Sequence, residues 1–153
     1  MGHTYSNILT HVIFGTKGRR PVIGEPVRGR LYQYLSGVAR REFGRALHIG
    51  GTADHVHGLL LIRPDVSVAE AMRKWKALSS RWVHRTFPEA ADFAWQEGYG
   101  AFSVSESLKA EVGRYVARQA EHHRKLTFEE EFVRFLDRHG VEHDPRYVWP
   151  AGR

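Results

Sequence analysis

The chain has 153 residues, no cysteine and a formal net charge of +6, with a pI near 9.9. That length suits one domain able to bury a real core, and the lack of thiols excludes disulfides and thiolate zinc sites. No apolar run approaches the ~18 residues a membrane helix needs, and the basic balance suits either a polyanion such as nucleic acid or a plain solvated surface.

In chain order, residues 5–16 read as a first strand, β-branched and aromatic, closed by Gly15 and Gly18. Lys17, Arg19 and Arg20 crowd the loop that follows. Pro26 suits the first turn of a helix, and Val27, Leu31, Tyr34, Leu35 and Val38 keep helical spacing up to Gly44. A short strand at Leu47-His48-Ile49 turns through Gly50 and Gly51 into the run His55–Ile62, so this pair is expected to form a hairpin. Ser67 and Glu70 make a capping box that opens a second helix, and Pro88 stops it. Residues 87–100 form an aromatic loop with Trp95 and Tyr99; residues 101–105 alternate as a strand. A helix through Leu108, Val112, Val116 and Ala120 follows. Thr127 and Glu130 open a last helix that Gly140 ends, and the aromatic tail to residue 153 is expected to dock. The order strand–helix–strand–strand–helix–strand suggests a ferredoxin-like α/β sandwich with an antiparallel sheet and extra C-terminal helices. That fold hosts many functions and decides none.

Two stretches carry chemistry. In the strand Asp54-His55-Val56-His57, residues two apart share a face, so both imidazoles point one way, about 7 Å apart along the strand. Two such rings can converge on one divalent metal, although a His-x-His pair is also ordinary strand polarity. In the later helix, Tyr115 and Gln119 are four apart and stack at the edge of the apolar stripe, while Arg114, Arg118 and His122 continue around the polar side. A tyrosine in that place, taken alone, reads as packing with its hydroxyl in water.

Taken together and in this order, the His-hydrophobic-His strand and the Tyr-x-x-x-Gln helix resemble the HUH single-tyrosine transposases. These are the smallest insertion-sequence transposases, acting on single-stranded DNA, and the REP-associated tyrosine transposases are their domesticated relatives. The likeness also takes in Lys17-Gly18-Arg19-Arg20, the Trp95–Phe102 stretch, Phe135–Val141 and the end at Arg146-Tyr147-Val148-Trp149. It implies a single RRM-like HUH domain over 1–153, with His55, His57 and Gln119 as metal ligands and Tyr115 as nucleophile. It also implies single-stranded DNA with hairpins as partner and a homodimer in which one subunit's tyrosine helix can complete the other's histidine site. The expected place is the cytoplasm, on the nucleoid when bound to DNA, with no membrane. Gly58 is smaller than the residue the family leads one to expect after the second histidine.

The chemistry fits those residue types. Two neutral imidazoles and an amide oxygen leave a divalent ion its full pull on phosphate; Mg²⁺ prefers oxygen and imidazole suits Mn²⁺, so either is expected. Attack by the tyrosine gives a phosphotyrosine and a free 3′-hydroxyl, and so preserves the bond for rejoining. Lys17, Arg19, Arg20, Lys74, Lys76, Arg114, Arg118 and His122 are candidates for a basic track along DNA, joined by Lys125, with Trp95 and Tyr99 as stacking surfaces. Two other readings compete: a hairpin-binding or single-strand-binding module without transposition, and a metal-dependent hydrolase using activated water. A covalent protein–DNA adduct separates all three.

Overall fold

The computed structural model describes residues 2–122 and 125–149, residue 122 by its backbone alone. Four strands, β1 (Ile8–Gly15), β2 (Gly44–Gly51), β3 (His55–Ile62) and β4 (Gly100–Val104), form one antiparallel sheet in the order β2-β3-β1-β4. Helix α1 (Glu25–Glu42) links β1 to β2, and α2 (Val68–Thr86) links β3 to β4. This is the expected ferredoxin-like sandwich. Beyond it come α3 (Lys109–Ala117), the single turn α4 (Gln119–His122) and α5 (Phe128–Arg138).

The capping boxes act as their residue types require. The Ser67 hydroxyl accepts from the Glu70 amide at the start of α2, and Thr127 accepts from the Glu130 amide at the start of α5. Gly140, at φ +65°, ends the last helix in the left-handed region.

Period-two alternation divides the sheet into two faces. Val12, Phe14, Val56, Leu60 and Ile62 pack on one side against Leu31, Leu35 and Val38 of α1 and Met72, Trp75 and Val83 of α2. Trp75 is central: its indole N–H donates to the Leu35 carbonyl at 2.9 Å. Trp75 also accounts for Gly58, because a Cβ there would lie 2.7 Å from the indole Cη2. The small residue on the strand makes room for the large one on the helix. Gly58→Val is therefore expected to destabilise the fold by about 1–3 kcal/mol through overpacking, read as a lower urea midpoint at unchanged slope. An unchanged midpoint would show that the indole can slide aside.

The opposite face is covered as well, by α3, α5 and the docked tail. Ile13, Phe102, Phe128, Phe132, Phe135, Leu136 and Trp149 form a second core, with Tyr115 packed against it. Trp149 docks as the tail was expected to, while Tyr147 is exposed. This second layer turns a strand face that would otherwise meet water into the wall of a buried site.

Strand β2 is longer than its sequence suggests, eight residues with a register shift between Ala46 and His48. Its glycines permit close approach: a Cβ on Gly50 would stand 1.9 Å from the Val116 carbonyl oxygen. Backbone contact between β2 and α3 is what sets α3, and with it Tyr115, against the sheet.

Candidate metal and nucleophile site

His55 and His57 lie on the α5 side of β3, both fully buried, with ring centroids 5.1 Å apart. Each ring is held from behind. His55 Nδ1 is 2.8 Å from Asp54 Oδ1 and 3.0 Å from Thr52 Oγ1. The carboxylate places the proton on Nδ1, so Nε2 presents its lone pair forward, the tautomer a metal ligand needs. His57 Nδ1 is 2.8 Å from Nε2 of His11, a buried residue of β1. Burial, then the neighbouring His57, keeps the His11 pKa well below the ordinary histidine range, so His11 is neutral. Phe128 stacks on the His55 ring at 4.4 Å and 10°, which fixes its plane.

Two acceptor oxygens converge on those forward nitrogens. Gln119 Oε1 is 3.2 Å from His55 Nε2, and Glu131 Oε1 is 2.9 Å from His57 Nε2 and 3.6 Å from His55 Nε2. The Gln119 amide nitrogen donates to the Tyr115 carbonyl at 3.1 Å, which turns the amide oxygen toward His55. The ligand atoms of His55, His57 and Glu131 all lie within 4.8 Å of one another. Lone pairs gathered at that spacing from two imidazoles and a carboxylate fit a divalent cation. Glu131 was not foreseen. It adds a negative oxygen to a set expected to be neutral, which moves the site toward harder ions such as Mg²⁺ and Mn²⁺.

The other carboxylate oxygen, Glu131 Oε2, accepts a short hydrogen bond from the Tyr115 hydroxyl. Tyr115 is half-buried, its ring 5.9 Å from that of His57 and 5.6 Å from that of Phe135. Its pKa is raised well above the ordinary tyrosine value, first by burial and then by donation to Glu131, against smaller opposing effects of Gln119 and Arg138. The nucleophile candidate therefore rests as a neutral phenol with a proton acceptor already in contact.

The helix that carries Tyr115 does not run on unbroken. Arg118, at φ −106° and ψ 32°, ends α3, its amide shared between the Arg114 and Tyr115 carbonyls, and Gln119 begins α4. Tyr115 and Gln119 nonetheless reach the same histidine pair.

A family model described as "Transposase IS200 like" matches residues 4–119 of the chain. The chain belongs to the IS200-like transposase family. Similar proteins include the ISDra2 transposase TnpA of Deinococcus radiodurans, 25% identical over 77% of this chain and 87% of that one. The transposase for insertion sequence element IS200 of Salmonella typhimurium is 28% identical, over 79% and 82%. Among solved structures, a Deinococcus radiodurans R1 protein superposes with a TM-score of 0.63 at 24% identity, covering 76% of this chain and 94% of its own. A REP-associated tyrosine transposase bound to a REP hairpin shares the fold, with a TM-score of 0.55 at 13% identity over 76% and 68%. The family match ends at Gln119. In this IS200-like chain, α5 and Glu131 lie beyond it.

Within this family fold the cations named from sequence have varied surroundings. Arg19 is engaged by Glu129 at 2.5 Å and lies over the Trp149 ring at 4.6 Å. Arg20 pairs with Asp92 at 2.9 Å, and Lys74 with Glu42 at 3.4 Å. Lys76 donates to the Gly98 carbonyl at 2.8 Å and is partly buried, which lowers its pKa. Lys17, Arg114 and Arg118 are exposed; the side chain of His122 lies outside the described residues. Trp95 is core, its N–H donating to Ser79 Oγ at 2.9 Å, whereas Tyr99 is exposed. Among the described residues no helix is long and apolar enough to cross a membrane.

Proposed function

We propose that this IS200-like transposase cleaves and rejoins single-stranded DNA at hairpin-bearing element ends, through a phosphotyrosine on Tyr115 and with Mg²⁺ or Mn²⁺ at His55 and His57. One observation carries the reading: the Tyr115 hydroxyl, the Glu131 carboxylate and both histidine Nε2 atoms share one pocket built by a single chain. His55 and His57 would hold the ion, with Glu131 and Gln119 as further ligands. Bound there, the ion supplies Lewis-acid stabilisation of charge on the nonbridging oxygens.

The chain's own groups do the rest. The Tyr115 oxygen attacks phosphorus as its proton passes to Glu131 Oε2. The Tyr115 O–P bond forms and the P–O3′ bond breaks. The electron pair leaves with O3′, which takes a proton from water and departs as the 3′-hydroxyl. The 5′ phosphate stays on the enzyme, ready for the reverse attack by another 3′-hydroxyl. Asp54 keeps the His55 imidazole in the tautomer that faces forward, and His11 holds the orientation of the His57 ring. A homodimer would hold two such sites. The hairpin bound by the REP-associated relative supports a folded single strand as substrate, met in the cytoplasm at the nucleoid.

The test is incubation with hairpin-flanked single-stranded oligonucleotides and Mn²⁺, followed by denaturing electrophoresis for a covalent adduct. His57→Ala should retain its circular dichroism yet lose divalent-dependent cleavage, by 10²-fold or more if Lewis-acid stabilisation is worth about 3 kcal/mol or more. Undiminished cleavage by that variant would remove the metal role. A hairpin-binding chain that never forms an adduct would favour the binding-module reading instead.

A further inference from the structure

Beside Tyr115 a cleft of about 410 Å³ opens between the end of the tyrosine helix and α5. Its wall is one stripe of α5: Glu131, Arg134, Phe135 and Arg138, spaced so that successive residues share a helix face. Lys125 and Glu121 stand at the opposite rim with Leu126. The inner end holds the nucleophile candidate and the carboxylate it touches; the outer part carries three cations against the one rim carboxylate of Glu121. Arg134 and Arg138 are exposed, so their charges need no partner to be tolerated. Arg138 lies over the Phe135 ring at 5.6 Å, and the same ring meets Tyr115 edge-on. The guanidinium is thus oriented near the phenol.

We propose that this cleft seats the scissile phosphodiester, with Arg134 and Arg138 of α5 neutralising the phosphate and its neighbour along the single strand and Lys125 closing the rim. A guanidinium fork matches two phosphate oxygens, and arginines one helical turn apart suit adjacent phosphates of an extended strand. The inference rests on the reading of Tyr115 as nucleophile and adds a substrate-binding role for α5. These α5 residues lie beyond the segment that the IS200-like family model matches.

The experiment measures binding of a fluorescent single-stranded oligonucleotide by the full chain at several salt concentrations. The Tyr115→Phe background separates binding from chemistry. Arg134→Gln and Arg138→Gln are each expected to weaken binding about tenfold. Each should also flatten the salt dependence by about 0.7 in log–log slope, the share of one phosphate contact on a single strand. Mn²⁺ affinity should not move. In the Tyr115 chain, the double variant should lose adduct formation at subsaturating DNA. Arg138→Glu should do worse than Arg138→Gln, which a merely structural role at an exposed position would not produce. Unchanged slope and affinity in the double variant would overturn the cleft assignment even if the parent forms adduct. Failure of the parent to form adduct would instead remove the nucleophile reading, while a flattened slope would still mark the cleft as a phosphate site.

Discussion

Tyr115→Phe is expected to abolish both cleavage and covalent adduct while leaving the protein folded and able to bind single-stranded DNA. The substitution removes one oxygen and keeps the ring. Its edge contacts with His57, Phe135 and His11, at 5.9, 5.6 and 6.1 Å, survive. What is lost is the hydrogen bond to Glu131. That carboxylate keeps its 2.9 Å contact with His57 Nε2, so the cost in stability should be about 1 kcal/mol. No other tyrosine can substitute. Tyr32 and Tyr34 pack on the opposite side of the sheet with α1 and α2, and Tyr5, Tyr99 and Tyr147 are exposed. Mass spectrometry of a digested wild-type adduct should place the nucleotide on the Tyr115 peptide. A nucleotide elsewhere, or an active phenylalanine variant, would overturn the assignment.

The two halves of the site differ in how openly the sequence displays them. His55 and His57 are legible because a strand has an exact period: apolar neighbours through Ile62 identify β3, and residues two apart must share a face. Ser67 and Thr127 announce α2 and α5 because a cap is a local bond between residues three apart. Nothing local announces the break at Arg118, where no glycine or proline interrupts the helix. Four-residue spacing therefore suggested one continuous stack for Tyr115 and Gln119. Strand β2 hid behind Gly44, Gly50 and Gly51, whose low strand propensity is overridden by pairing with β3. Glu131 did leave a trace. It falls three residues after Phe128 and four before Phe135, so it sits inside the most apolar stripe of α5 rather than on its charged side. A carboxylate there needs a buried partner, but the sequence cannot say that the partners are a tyrosine and two histidines more than a dozen residues away.

Replacement of Glu131 by Gln tests whether that carboxylate is part of the chemistry or only of the packing. The side chains are nearly isosteric, so the second core should be undisturbed. In the metal-free protein a buried carboxylate is replaced by a neutral amide that loses less solvation on burial, and stability should hold or rise. With metal the sign reverses. A lost anionic ligand should weaken Mn²⁺ binding about 10–100-fold, by analogy with losses from second-shell changes. Ligand-induced stabilisation should shrink accordingly: at a concentration giving ~2.7 kcal/mol in the parent, a tenfold weaker site gives only ~1.4 kcal/mol. Cleavage should fall further than metal binding explains, by a further 10²–10⁴-fold, because the amide cannot take the Tyr115 proton. Measurement at saturating Mn²⁺ separates the two losses. Gln119→Ala provides the contrast, since its amide approaches His55 and can hydrogen-bond the phenol but cannot take the phenol's proton. It should weaken the metal without the extra loss at saturation. If Gln119→Ala carries the whole metal defect and Glu131→Gln binds Mn²⁺ and cleaves as the parent does, then the amide is the third ligand. Glu131 would in that case serve only to seat α5 against the histidines.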